Sequence, residues 1–368
     1  MIYRVLIEDR DLSFYNEIRK PLGLNWEYNA LGGCGAFGFT AYSKFCTDIL
    51  FGSNFNIKIL RRNPTTKNYD LWYQGRIEDK QYDISSGQEI VSISGYGYQS
   101  ALNDVIINQD FTSQEASVIV KSILDTFVVP NTKITYDNAD IEATTLTIDS
   151  IKFSYVTAAQ ALKTIAEAVG GREWGVDRNR KFFFKAQSST TGFNYALGKK
   201  VKNLRVNNSS RSVANHIIIQ GGDVSGSPFV YVKDYLSGQA KYGRRDLILQ
   251  RTAVVTNQIA QQIADAAYAE RSDVSERVRC DLLDEVLIEN TLPIPLFKIK
   301  TREYLYDEAN YDSILYSGIE PQRISKVRYK IGQASELIIS MELGQVFASE
   351  VENIKQLEFK LDQLRQAR

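Results

Sequence analysis

Histidine is nearly missing from this chain: His216 is the only one in 368 residues. A metal centre built from several histidines is therefore ruled out, and a Ser-His-Asp arrangement would have to converge on that single ring. Cysteine is sparse and odd in number (Cys34, Cys46 and Cys280), with no C-x-x-C spacing. That argues against a disulfide framework and a structural zinc site, and it fits synthesis in a reducing compartment. Neither sign of charge is in excess, with 44 Lys plus Arg against 44 Asp plus Glu. A chain whose main task is gripping nucleic acid would carry a basic surplus, so that class is disfavoured, although a neutral-walled channel for nucleic acid is not. No apolar run approaches bilayer length, and Met1–Asp9 does not look like a signal peptide, so the chain is expected to be soluble and made in the cytoplasm.

What is present reads as β structure. The length gives a prior of two to four domains, and 43% apolar residues are enough for real cores. Tyrosine (21) and phenylalanine (17) are abundant, suiting half-buried strands and wet interfaces. One design occurs twice. Tyr69-Asp70-Leu71-Trp72-Tyr73-Gln74-Gly75-Arg76-Ile77-Glu78 is followed, after a polar connection, by Glu89-Ile90-Val91-Ser92-Ile93-Ser94. Tyr311-Asp312-Ser313-Ile314-Leu315-Tyr316-Ser317-Gly318-Ile319-Glu320 is followed by Glu336-Leu337-Ile338-Ile339-Ser340-Met341, with one small offset. Two hairpin-like units, marked by Gly75 and Ile77 and by Gly318 and Ile319, suggest two related β domains.

The first β domain is expected over residues 1–105, where Tyr3, Val5 and Ile7 alternate with wetter neighbours, as do Phe55, Ile57 and Ile59. Residues 106–198 read as a small α/β connecting domain. Thr112-Ser113-Gln114-Glu115 is a capping-box pattern, before a helix burying Val118, Ile119, Ile123 and Leu124. A second helix carries Leu162, Ile165, Ala166 and Val169 and stops at Gly170-Gly171, with roughly 1.5–3 kcal/mol expected from burying each large side chain. Trp174-Gly175-Val176 and Phe182-Phe183-Phe184 flank Asp177–Arg180 as a hairpin. Residues 199–345 form the second β domain: a short buried strand at Asn215–Gly222, a long polar loop over 223–246, and a helix near 256–270 with Thr256 as N-cap. In the last segment, 346–368, Ile354, Leu357, Leu361 and Leu364 fall at a/d spacing, so an amphipathic helix should pack on its own body or on sister copies.

The candidate chemistry is thin. Gly33-Cys34-Gly35-Ala36-Phe37-Gly38 fits G-x-G-x-x-G but lacks the strand-helix context of a dinucleotide site, and a glycine-rich turn between strands is the better reading. The residues before it, Asn25–Asn29, look like a polar-aromatic edge. His216 is expected to be satisfied within a sheet, and G-x-S-x-G is absent. Asp137, Asp140 and Glu142 could tempt a two-carboxylate reading, but their surroundings suggest a solvated loop or at most an adventitious calcium site. Lys199, Lys200, Lys202, Arg244 and Arg245 read as solvated faces or interface rims. No catalytic residue, cofactor or metal is expected, which points to an assembly component rather than an enzyme.

The run Leu162–Asp177 with Lys181–Lys185 resembles the middle segment of phage baseplate hub proteins. Gly32-Gly33-Cys34-Gly35 with Phe37 and Phe39 resembles the N-terminal β domain of phage tail-tip proteins, and Asn215–Gly221 the strand opening the second β domain of such hubs. The resemblance implies an α+β, mainly β chain with two tail-tube-like β-barrels. It implies a homotrimer presenting a pseudo-sixfold ring to a tail tube or distal tail protein, and a threefold face to a tip, spike or fibre protein. DNA could pass through the channel without sequence-specific contact, and the protein would sit in the virion after synthesis in the host cytoplasm. The terminal heptads would suit the threefold axis. Two other readings remain: a receptor- or carbohydrate-binding tail module, suggested by the aromatic content, and a wall hydrolase using the acidic cluster.

Overall fold

The computed structural model describes residues 3–18, 21–42, 55–63, 66–85, 88–187, 191–194, 201–282, 298–300, 322–332 and 337–344. The fold is mainly β with a few helices. The N-terminal strands are β1 (Tyr3–Glu8), β2 (Phe14–Ile18), β3 (Leu22–Asn29), β4 (Gly32–Tyr42), β5 (Asn56–Arg62), β6 (Tyr69–Ser85) and β7 (Gln88–Gly97). The middle contains β8 (Ile106–Glu115), α1 (Ala116–Ile123), a π turn at Leu124–Val128, α2 (Val129–Asn131), β9 (Thr147–Thr157), α3 (Ala158–Val169), β10 (Arg172–Val176) and β11 (Phe182–Ala186). Then come β12 (Thr191–Asn194), β13 (Val201–Ser209), β14 (His216–Val224), β15 (Ser227–Asp234), α4 (Leu236–Tyr242), β16 (Asp246–Gln250), α5 (Asn257–Arg271), β17 (Ser275–Leu282), β18 (Lys298–Lys300), β19 (Gln322–Ile331) and β20 (Leu337–Gly344).

One sheet runs in the order β13-β17-β20-β19-β3-β4-β7-β6-β5-β1-β2, with β18 beside β19, β12 beside β18, and the β10–β11 hairpin attached to β4. Period-two burial drives it: Val5, Ile7, Ile57, Ile59, Leu337, Ile339 and Met341 all point into one core. Aromatic residues from distant segments meet there. Trp26 stacks on Tyr329 with centroids 5.2 Å apart, and Trp72 packs edge-on against both, at 6.2 and 5.6 Å. A second core joins α1, α3 and α5 to β8–β11 and to the small sheet β15-β14-β16. The expected 199–345 segment thus feeds both cores: Ile217, Ile219 and Ile263 lie in the second, while Val278, Val327 and Met341 lie in the first.

Several local expectations are met by atoms. Gly170 ends α3 at φ +70°, as expected, and the helix opens on Thr157, whose side chain accepts from the Gln160 N–H. The expected hairpin around Asp177–Arg180 forms, with Trp174 opposite Phe184 and Val176 opposite Phe182. Other expectations need correction. Thr112–Glu115 ends β8 rather than opening a capping box. Glu115 is itself the N-cap of α1, accepting from the Ser117 and Val118 N–H groups, and Val118 is exposed. The polar stretch 223–246 is not a loop, because β15 pairs antiparallel with β14 and α4 follows. Its alternation was hidden because the outward Val230 and Val232 are as apolar as the inward Phe229 and Tyr231. Thr256 stands at the N-cap of α5 without a side-chain cap bond.

The glycine motif lies within β4, not in a turn. Gly33 has φ +82°, and a Cβ there would sit 2.1 Å from the Val176 carbonyl oxygen, so the glycine lets β10 pair parallel to β4. Asn25–Asn29 is no edge either: β3 lies between β4 and β19. Gly75 and Ile77 lie on β6, whose hairpin with β7 forms as expected. Gly318 and Ile319, with all of 311–320, lie outside the described residues, and so do Ile354, Leu357, Leu361, Leu364 and Cys46. β20 is flanked by β17 on one side and β19 on the other.

Candidate interaction surface

The titratable groups singled out from the sequence are tied into the scaffold. His216, at the start of β14, is buried and its Nδ1 donates to Asp234 Oδ1 at 2.7 Å. Gln239 adds a 2.6 Å bond to the same oxygen, and the two donors hold the Asp234 carboxyl below its ordinary value. The three acids of the 137–142 turn each meet a cation of the β10–β11 hairpin: Asp137 with Lys181, Asp140 with Lys185 at 2.7 Å, and Glu142 with Arg172 at 3.3 Å. These pairs fasten the turn to the hairpin. Among the described residues no group of acids, cysteines and histidine could hold a metal ion. Burial pushes both described thiols up, Cys280 to about 12 and Cys34 further, so neither is a thiolate near neutral pH.

A cleft bordered by Glu167, Arg251, Trp174 and Ile263 offers about 70 Å³. Small-molecule sites usually span roughly 300–1,000 Å³. One wall is an ion pair: Arg251 Nε and Nη2 grip both oxygens of Glu167 at 2.5 and 2.8 Å, tying α3 to the segment after β16.

The more informative geometry is where the two ends of the chain meet. β19 pairs antiparallel with β3 from Lys326 opposite Asn29 to Lys330 opposite Asn25. Under the Trp26–Tyr329 stack runs a charged seam. Lys326 Nζ lies 2.7 Å and Arg328 Nη2 3.2 Å from the same Glu27 oxygen. Burial alone would raise the Glu27 carboxyl, but the Lys326 bond and charge outweigh it, so its pKa lies below the ordinary value. The sequence reading passed over these residues. Their signal was Lys326-Val327-Arg328-Tyr329-Lys330, cations alternating with apolar residues, opposite the acid in Asn25–Asn29.

Elsewhere the sheet presents open sides. Beyond Ile77, β6 keeps β7 on one side, and no described strand pairs on the other. Tyr82 is 51% and Ile84 75% exposed there. At the far end of the sheet, β13 pairs only with β17 among the described strands.

No protein-family model matches the chain, and no curated protein matches it. Solved structures do. It is similar to the 43 kDa tail protein of prophage MuSo2 from Shewanella oneidensis at 15% identity, covering 93% of this chain and 98% of that one (TM-score 0.63). It is similar to a tail protein from Neisseria meningitidis at 13% identity, covering 94% and 97% (TM-score 0.62). Prophage tail protein gp18 from Listeria monocytogenes matches at 13% identity over 98% and 99% (TM-score 0.56). These matches run through nearly the whole of both chains. The fold is that of these prophage tail proteins.

Proposed function

We propose that this chain is a trimeric structural hub of a phage tail or related injection machine. It adapts the sixfold tail tube to a threefold tip or spike and lines the channel between them. Tube or distal tail proteins would bind one face and tip, spike or fibre proteins the other, with the protein residing in the virion. Each chain supplies two related β units, and the segments 1–105, 106–198, 199–345 and 346–368 keep the roles assigned above. Ile354, Leu357, Leu361 and Leu364 would zip together on the threefold axis.

The observation that carries this reading is the strand order. In one half, β3-β4-β7-β6-β5 are neighbours; in the other, β13-β17-β20-β19-β18 are neighbours, in the same sequence order and all antiparallel. Even a β-bulge coincides, between Ile77 and Asp79 on β6 and between Ile324 and Lys326 on β19. Aligned on that bulge, Ile77, Tyr82 and Ile84 correspond to Ile324, Tyr329 and Ile331, a different register from the one suggested by Gly75 and Gly318. A duplicated unit favours closed rings, because equivalent surfaces repeat around an axis.

For the carbohydrate-binding alternative, Trp26, Trp72 and Trp174 are all buried, which leaves exposed tyrosines such as Tyr155 and Tyr96 as its candidate stacking surfaces. Light scattering with electron microscopy of the purified protein tests the hub reading. A particle of three chains with a central hole and a pseudo-sixfold outline is expected. A monomer that binds no tube or tip protein would overturn it.

A further inference from the structure

We infer that neighbouring copies of this chain join edge to edge, the outer side of β6 from Asp79 to Asp83 pairing antiparallel with the outer side of β13 from Ser209 to Arg205 of the next copy. The inference rests on the trimeric reading above and specifies its interface.

The argument starts from the junction inside the chain. The β3–β19 seam joins the first β unit to the second through one particular pair of edges: the side of β3 away from β4, and the side of β19 away from β20. Under the bulge alignment, the counterpart of β19 is β6, and the counterpart of β3 is β13. Their corresponding sides are the ones that no described strand covers. The exposure contrast fits. Tyr329 is fully buried at the seam, while its counterpart Tyr82 is half exposed. A ring of six units would then have six junctions, alternately β3–β19 within a chain and β13–β6 between chains. Such a contact is heterologous, head to tail, and closes when the rotation per unit allows.

The register follows from the seam. Tyr329 faces Trp26, Arg328 faces Glu27 and Lys330 faces Asn25. Carrying the pairing across through β4–β7 and β17–β20 places Tyr82 opposite Val206, Gln81 opposite Asn207 and Asp83 opposite Arg205. Charge supports it. Glu78, Asp79 and Asp83 give the β6 edge an acidic balance against the single Lys80, while the Arg205–Ser209 stretch of β13 carries Arg205 and no acid. The internal seam has the opposite polarity, with acidic Glu27 on the β3 side and basic Lys326 and Arg328 on the β19 side. The two kinds of junction therefore disfavour each other's partners, which fixes the order around the ring.

The test uses the full chain. Asp83→Lys and Arg205→Asp should each weaken the trimer roughly tenfold or more by placing like charges opposite each other, and the double variant should restore it to within about twofold. Circular dichroism melts check that each variant folds. Separately, Gln81→Cys with Asn207→Cys should give covalent trimers on mild oxidation. Six strands separate β6 from β13 along the sheet, so that disulfide can form only between chains. A trimer that ignores both charge changes and yields no cross-link overturns this pairing while leaving the hub reading in place. A wild-type chain that stays monomeric at all concentrations overturns both.

Discussion

Gly33 shows how much one side chain can cost here. Its φ of +82° is left-handed, and a Cβ would meet the Val176 backbone at 2.1 Å. Gly33→Ala combines backbone strain with a steric conflict against β10, so a loss of roughly 2–5 kcal/mol is expected from urea unfolding. Glu27 acts through charge. Its pKa is lowered in the folded chain, so its contribution is fully present above the ordinary glutamate value of 4.5 and fades as pH falls through the lower folded value. Wild-type stability should drop on acidification through that window, and Glu27→Gln should flatten the drop while lowering stability near neutral pH. Thermal melts between about pH 7 and pH 3 would read this; an unchanged acid limb in the variant would assign the drop to other carboxylates.

At the scale of elements, caps and turns decide boundaries. Glu115 accepts from the Ser117, Val118 and Thr144 N–H groups, so it ends β8, starts α1 and pins the connecting segment that leads to β9 in one stroke. Glu115→Ala should cost about 1–2 kcal/mol, and Glu115→Gln less, measured by denaturant midpoint. The pattern in the sequence placed a helix here correctly but put its cap three residues early, since Thr112 and Glu115 also satisfy the capping-box spacing. Helix α3 was legible in its apolar face and its stop, because the spacing of Leu162, Ile165 and Ala166 and the Gly170 terminus agree. β15 was not legible: Val230 and Val232 are its exposed residues, while Phe229, Tyr231 and Lys233 face inward, so the usual apolar-in reading fails.

For the whole molecule, the trimeric hub proposed above would be held together by two kinds of contact. A seam at the C-terminal heptads and an edge pairing between β units are separable. Leu357→Asp with Leu361→Asp would place unpaired charges in a desolvated seam three times over, so the oligomer should weaken without loss of the folded body. Sedimentation together with the melt distinguishes the two: an unaltered oligomer assigns those leucines to local packing. No described helix is long and apolar enough to cross a membrane.

The chain by itself determined the mainly β character, the helices whose apolar spacing and stops agree, and the neutral, histidine-poor composition that leaves a histidine-based metal cluster no material. These are local properties, written in spacing and residue type. The tertiary structure alone decided that β3 lies beside β19 and that Glu27 meets both Lys326 and Arg328. Strand partners hundreds of residues apart are chosen by register and shared burial, and both are properties of the assembled sheet that no single segment carries.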